Sequence, residues 1–318
     1  MKLNLNKIII LTGPTASGKT EISIKIAQLI PDIEIISADS MQIYKYLNIG
    51  TDKPPQDILK KYKHHGIDLI EPSESYDVKQ YTDQAHKYIL DIISRKKKPI
   101  IVGGSGLYIK SLIEPLFYGP GRNQNIRDQL VKIAQEKGNL FLYEKVKEHD
   151  FEYAQKINVN DTKRIIRALE VFFTTGKPIS FYHKRKNDNH SEKNYHFCII
   201  CISMDRRKLY KRIDDRVSKM IEKGLIEETR AIMEKYQNYN LNALQGLSYK
   251  HIVSYLEGRI TKDEAIEKMK KDTRNFAKRQ LSWFKNQLKI DYWLNIDQYI
   301  NIDKCLEGIV KIMREEGY

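Results

Sequence analysis

Residues 13–20, Gly13-Pro14-Thr15-Ala16-Ser17-Gly18-Lys19-Thr20, constrain this chain more than any other stretch. Two glycines separated by four residues and followed by Lys and Thr make the phosphate-loop pattern. The surroundings suit it. Ile8-Ile9-Ile10-Leu11 is a short apolar run, as a strand buried on both faces requires. Glu21 to Ile30 carries apolar residues at helical spacing, and Pro31 ends the run. Strand, glycine turn and helix aim backbone N–H groups and a positive helix end at an anion. Gly13, Thr15, Ala16, Ser17, Gly18 and Lys19 are therefore candidate phosphate-binding residues, and Thr20 can offer its hydroxyl to a magnesium ion. An ordinary strand-to-helix turn with chance glycines is the competing reading. The pattern indicates a polyphosphate without naming a nucleotide.

A chain of 318 residues, 41% of them apolar, can bury one large core or two smaller ones. No apolar run has membrane-span length, and Met1 to Asn6 is too close to the glycine turn to be a signal peptide. A cytoplasmic protein, a monomer without membrane contact, is expected. The three cysteines form no disulfide framework, and Cys198 and Cys201 fall in an expected strand. Residues three apart on a strand face opposite ways, so that pair is read as buried thiols rather than half a zinc site. The formal net charge of +14 admits two readings, a nucleic-acid partner or solvated basic faces. The 20 tyrosines suit base stacking and ordinary packing equally.

Along the chain, Ile33-Glu34-Ile35-Ile36 reads as a second strand delivering Ser37-Ala38-Asp39-Ser40 to the sheet end where ligands bind in open α/β folds. Tyr44 to Pro55 is irregular, and His64-His65 lacks the acid or cysteine neighbours of a metal site. Asp77 caps a helix expected to reach Lys98, with Arg95 to Lys98 at its negative end. Pro99 to Val102 is a third strand opening into Gly103-Gly104-Ser105-Gly106 and a helix from Leu107. No acid follows this strand, which speaks against ATP hydrolysis. Beyond Tyr118 the composition turns polar and helical, with helices expected over Asn123–Lys137, Leu140–Glu148 and Asp161–Thr175. Lys163, Arg164 and Arg167 share a face of the last, and Arg185 to Lys193 reads as a linker. His196 to Ile202 is a returning strand. The remainder is helical apart from an edge strand at Tyr292-Trp293-Leu294. Arg212 and Arg216 share a face of the helix Arg206–Lys223. The long helix Thr261–Leu288 carries an apolar stripe of Ile266, Met269, Phe276 and Phe284, opposite Lys270, Arg274, Lys278 and Lys285.

The fold class is thus α/β: a phosphate-loop NTPase-like parallel sheet flanked by helices, with an all-helical insertion and a helical C-terminal region. Residues 1–119 and 195–318 make the core, and 120–194 the insertion.

Several motifs, in order and over nearly the whole chain, resemble the tRNA dimethylallyltransferase (tRNA isopentenyltransferase) family. They are residues 13–20, Asp-Ser-Met-Gln-Ile-Tyr-Lys at 39–45, Gly-Gly-Ser-Gly-Leu-Tyr at 103–108 and Asn-Asp-x-x-Arg-x-x-Arg-Ala-Leu-Glu at 160–170. Gly-Lys-Pro at 176–178 and Ala-Lys-Arg-Gln-x-x-Trp-Phe at 277–284 complete the set. Ser105 stands where the family usually has Thr, and Leu247-Ser248 where it usually has Ile-Gly.

The resemblance implies transfer of a dimethylallyl group from its diphosphate to N6 of adenosine 37, in the anticodon stem-loop of tRNA, with magnesium. On that reading the loop, Lys19 and a metal at Thr20 stabilise the departing diphosphate. Asp39 takes the amine proton, or else serves as an outer-sphere magnesium ligand. Ser105 donates to the bridging or leaving oxygen. Arg216 matches a family arginine near the diphosphate, against the alternative of a surface charge. Gln42 can read the adenine edge. The family's tRNA-contacting positions correspond to Asp39, Ser40, Met41 and Gln42, to Ser105 and Arg127, and to Lys163, Arg164, Ile165, Ile166 and Arg167. The last set is Gln245, Gly246, Leu247, Ser248, Tyr249 and Lys250. Competing functions are a phosphate-loop kinase of a small metabolite, an adenylate isopentenyltransferase, and a non-enzymatic RNA-binding or nucleotide-switch protein.

Overall fold

The computed structural model describes residues 6–114, 119–184, 195–238 and 241–318. The expected linker at 185–193 lies outside them. Six parallel strands form one sheet: β1 (Asn6–Thr12), β2 (Ile33–Ser37), β3 (His64–His65), β4 (Lys98–Gly103), β5 (Tyr195–Ser203) and β6 (Tyr292–Asn295). Their order is β3-β2-β4-β1-β5-β6, with Ile9 level with Ile100 on one side and Cys198 on the other. β2, β3 and β4 are therefore built on one side of β1, and β5 and β6 on the other. In open parallel sheets the reversal point is where the ligand crevice forms, outside the strand ends.

β1 shows why its run had to be uninterrupted. Ile9 and Leu11 pack under the helices Lys19–Leu29 and Ile302–Glu315, while Ile8 and Ile10 pack under Val78–Ser94 and Gly106–Ile113. Both faces are covered, so every second residue cannot be polar. β5 alternates likewise. Cys198, Ile200 and Ile202 join the first cluster and Ile199 the second. Cys198 and Cys201 are free and buried, and burial pushes both thiols up to about 12.

Several expectations need correction. The helix capped by Asp77 ends at Ser94, not Lys98, because Lys98 already belongs to β4. Its basic run answers a buried acid instead of the helix dipole. Arg95 grips Glu34 with both Nη atoms at 2.5 and 2.7 Å, and Lys97 adds 2.9 Å. Those hydrogen bonds, Arg95 first, hold Glu34 well below the usual carboxylate range. His65 also meets Glu34 at 2.8 Å, so the histidine pair does have an acid neighbour. The helix Lys262–Gln287 buries Ala265, Met269, Thr273, Ala277, Gln280 and Phe284, whereas Ile266 and Phe276 are only half-buried. Small and polar residues hold the inner line there, which a search for large apolar side chains passes over. Short helices at Gln56–Lys61, Phe151–Ala154 and Ile179–Lys184, and the two-residue β3, were not anticipated.

The chain divides into two compact units, Met1–Glu114 with Lys193–Tyr318, and Pro115–Glu192. The second is helical, around Leu130, Leu142, Val146, Ile165 and Leu169. Its long helix Gln124–His149 is broken at Gly138, whose φ of 80° separates the two helical segments expected there. Asp161 caps Thr162–Thr175 through the Arg164 N–H, and Gly176 closes it at φ 68°. No helix among the described residues is long and apolar enough to cross a membrane.

Candidate active site

The glycine turn leaves the C-terminal end of β1 and runs into the helix Lys19–Leu29. Gly13 is obligatory. Its φ is 151°, and a Cβ there would stand 2.5 Å from the Ile202 carbonyl oxygen on β5. Gly18, the N-cap at φ 90°, turns the chain into the helix without a side-chain cap, so the first N–H groups stay directed at the crevice. Ala16 takes φ 61° and packs against Met204, Leu209, Ile213 and Ala277. The Lys19 Nζ curls back to the Pro14 carbonyl at 2.7 Å and approaches Ser17 Oγ at 3.4 Å. Burial, then the like charge of Arg216, lower this amine to about 8, against a smaller pull from Asp39 and Asp52. A half-buried cation beside a second cation is a site prepared for an anion.

Arg216 reaches the turn from the helix Arg206–Glu222. Its Nη2 donates to Thr15 Oγ1 at 2.6 Å, its Nη1 approaches Asp52 at 3.4 Å, and its buried Nε–H has no partner among the described residues. Arg212, one turn earlier, brings a guanidinium nitrogen within 3.7 Å of where a Gly18 Cβ would stand.

The ends of β2 and β4 meet beside the turn. A Cβ on Gly103 would fall 2.1 Å from the Ala38 carbonyl oxygen, so only glycine permits this approach. Ser105 N donates to that carbonyl at 3.1 Å, and Ser105 Oγ accepts from Ser40 N at 3.0 Å. Asp39 Oδ1 accepts from Met41 N at 2.8 Å and Gln42 N at 3.4 Å, which leaves Oδ2 without a hydrogen-bond partner among the described residues. The fold thus brings Asp39, Ser40 and Ser105 together at the active end of the sheet. The charge of Asp39 is felt at Lys19.

Other expected contacts sit differently. The Gln42 carboxamide is engaged at both ends, accepting from Ser37 Oγ at 2.9 Å and donating to Thr51 O at 3.3 Å, so only its remaining capacity can meet a base. Tyr249 is 1% exposed. Its ring lies against Gly50 and its hydroxyl donates to Glu228 at 2.7 Å, so it is a core residue and presents no surface to a nucleic acid. Ile165 and Ile166 are buried in the helical unit and hold its core for the same reason that the helix is amphipathic. Around Tyr249, Gln245 is exposed, Gly246, Leu247 and Ser248 are half-buried, and Lys250 pairs with Asp272 at 2.6 Å. In the helical unit Lys163 and Arg164 are exposed. Arg127 and Arg167 instead hold Glu170, which is fully buried, through contacts of 2.8 to 2.9 Å.

One participant was missed. Gln280 bridges the two glycine turns, meeting Thr15 on one and Gly104 on the other. It was visible only as one letter of the matched run at 277–284, since no local pattern tells which loops a helical glutamine will meet.

A phosphate-loop-like α/β core with a second glycine turn and a carboxylate at the neighbouring strand end defines the class: a transferase built around an anion cradle. The chain belongs to the IPP transferase family, whose model matches residues 42–287. It is 44% identical over 306 residues to the tRNA dimethylallyltransferase of Acetivibrio thermocellus, covering 96% of each chain. Identity to the Carboxydothermus hydrogenoformans protein of that name is 47% over 305 residues, again 96% of each. Among solved structures, the full-length tRNA isopentenylpyrophosphate transferase from Bacillus halodurans superposes with a TM-score of 0.70 at 34% identity, covering 98% of this chain and 96% of that one. A eukaryotic dimethylallyltransferase described as acting on tRNA gives 0.72 at 27% identity, covering 91% and 74%.

Proposed function

We infer that the protein transfers the dimethylallyl group of dimethylallyl diphosphate to N6 of adenosine 37 in tRNA and releases diphosphate. The observation that carries this reading is the meeting of Asp39 and Ser105 next to the Lys19–Arg216 cradle, with Ser105 Oγ 3.0 Å from Ser40 N.

In the reaction the bond between the allylic carbon and the diphosphate oxygen breaks, and a bond from that carbon to N6 forms. The diphosphate takes the bonding electrons. Lys19, Arg216 and the loop N–H groups receive the growing charge. The amine loses one proton, which the free Oδ2 of Asp39 accepts. Ser105 accepts a hydrogen bond from Ser40 N and donates a long one, 3.3 Å, to Ser40 Oγ, which its O–H would give up to turn to the departing oxygen. No phosphoryl group moves, which fits the lack of an acid after β4.

Magnesium fits the donors available. The described residues hold no group of three or more His, Cys, Asp or Glu side chains able to form a protein cage. Thr20 offers a hard oxygen of the kind this ion accepts alongside substrate phosphates. When bound, it would neutralise charge on the diphosphate.

The adenine must leave its stack to reach the crevice, and Gln42 lies beside Asp39 to meet it. The helical insertion, 120–194, is proposed to hold the anticodon stem-loop, with Lys163 and Arg164 as exposed phosphate contacts. A cytoplasmic monomer is in keeping with this work.

Labelled dimethylallyl diphosphate, offered with tRNA, AMP and adenosine in separate reactions, tests the proposal. Label on tRNA is expected. Label on AMP alone assigns the protein to nucleotide prenylation, and ATP consumption without transfer makes it a kinase.

A further inference from the structure

The crevice is lined by two glycine turns that come from different strands and share no sequence. Each must keep its place relative to the other, because one cradles the diphosphate and the other carries Ser105. The parallel register Thr12–Gly103 fixes the ends of β1 and β4, and the Thr12 hydroxyl donates to Gly103 O at 3.0 Å. Just beyond those ends Gln280 reaches both turns from the helix Lys262–Gln287.

Its Oε1 accepts the Thr15 N–H at 2.8 Å, and its Nε2 donates to the Gly104 carbonyl at 2.8 Å. The partners are 265 and 176 residues away in sequence. The amide orientation is forced, since a backbone N–H can only donate and a carbonyl can only accept. Gln280 is 8% exposed, on a helix face otherwise carrying Ala265, Met269, Thr273, Ala277 and Phe284. A polar group there carries a penalty unless both ends are satisfied, and both are. The fit is close. A Cβ on Gly104 would lie 2.6 Å from Nε2, and three residues further along the helix the Trp283 ring rests on Gly106. The bridge also consumes the Thr15 N–H, while Arg216 takes the Thr15 hydroxyl at 2.6 Å. Thr15 is thereby pinned from both sides, and the remaining loop donors keep their aim.

We propose that Gln280 is a positioning residue for the transfer reaction, its carboxamide setting the separation between the diphosphate cradle and Ser105. It touches neither substrate. It acts through Thr15 and Gly104. The inference deepens the functional reading above and rests on it for the identity of the reaction, but the bridge itself can be tested with inorganic pyrophosphate alone.

The variants are Gln280→Ala, Gly104→Ala and their combination. Gln280→Ala frees both turns and should weaken pyrophosphate binding, measured by calorimetry, about ten-fold. With tRNA and dimethylallyl diphosphate it should lower kcat about 100-fold, leaving KM for tRNA within about two-fold. A role confined to folding would reduce the active fraction without changing pyrophosphate affinity in the folded remainder. Gly104→Ala should reproduce both losses, because its Cβ displaces the Gln280 amide. In the double variant that Cβ keeps only an ordinary 3.4 Å contact with the Gly13 carbonyl oxygen, so the losses should equal those of Gln280→Ala alone. Losses that multiply in the double variant, or unchanged pyrophosphate affinity in Gln280→Ala, overturn the proposal. Failure of the unaltered protein to prenylate tRNA overturns the functional reading, and the pyrophosphate measurements then still decide the bridge.

Discussion

Lys19 holds its ammonium among buried groups with Arg216 close by, and its amine is lowered to about 8 from an unfolded value near 10.5. Below pH 8 the folded protein carries a charge it holds less easily than the unfolded chain does. Between 8 and 10.5 the unfolded chain binds more protons, so stability rises with pH through that window. Lys19→Met should therefore stabilise the unliganded protein at pH 7 by about 1–3 kcal/mol. The gain should vanish by about pH 10.5, as thermal unfolding across pH would reveal. The same substitution should lower kcat/KM for dimethylallyl diphosphate by at least about 100-fold. Asp39 can be dissected similarly. Asp39→Asn keeps an oxygen for the Met41 and Gln42 N–H groups but cannot take a proton. Turnover should fall about 10²–10⁴-fold while pyrophosphate and tRNA still bind. Equal turnover would remove Asp39 as the base.

At the scale of elements, Glu170 does for the helical unit what Glu34 does for the sheet: a buried carboxylate on which cations converge. Burial alone would raise it, but hydrogen bonds from Arg127 and Arg167 and the Asn123 N–H overcome that and hold it below its ordinary value. Its support is present above the unfolded carboxylate value and is lost as pH falls through the lowered one. Glu170→Ala leaves two arginines facing a gap. It should destabilise residues 119–184 by about 3–5 kcal/mol, seen as faster amide exchange in Gln124–His149 and Thr162–Thr175 with the sheet unaffected. Such pairings mark the limit of sequence reading. The apolar run of β1, the caps Asp77 and Asp161 and the glycine turns are local patterns, and the fold class and most elements could be read from them. Glu34, Glu170 and Thr15 lie 43 to 265 residues from the Arg95, Arg127 and Gln280 that they meet. A basic run or a lone glutamine looks the same whether it meets solvent, a buried acid or a loop. Tyr249 shows the same limit in reverse, since it fell within a matched stretch yet is packed under Gly50.

For the whole molecule, the formal net charge of +14 left nucleic acid and solvated faces as equal explanations. The structure sorts individual cations within that total. Arg127 and Arg167 are bound to Glu170, Lys250 to Asp272, and Arg95 to Glu34, whereas Lys163 is exposed with no ion pair among the described residues. Only cations free to meet phosphates release counterions on binding, and each such contact adds to the dependence of affinity on salt. Lys163→Ala should therefore weaken tRNA binding across sequences and flatten the plot of log affinity against log salt by about one unit. Arg127→Ala should leave that slope unchanged in protein that remains folded, and should lower the melting point of the helical unit instead. The two variants remove the same formal charge, so a shared effect on slope would mean that total charge governs binding. A difference between them would mean that burial and pairing decide which cations the RNA encounters.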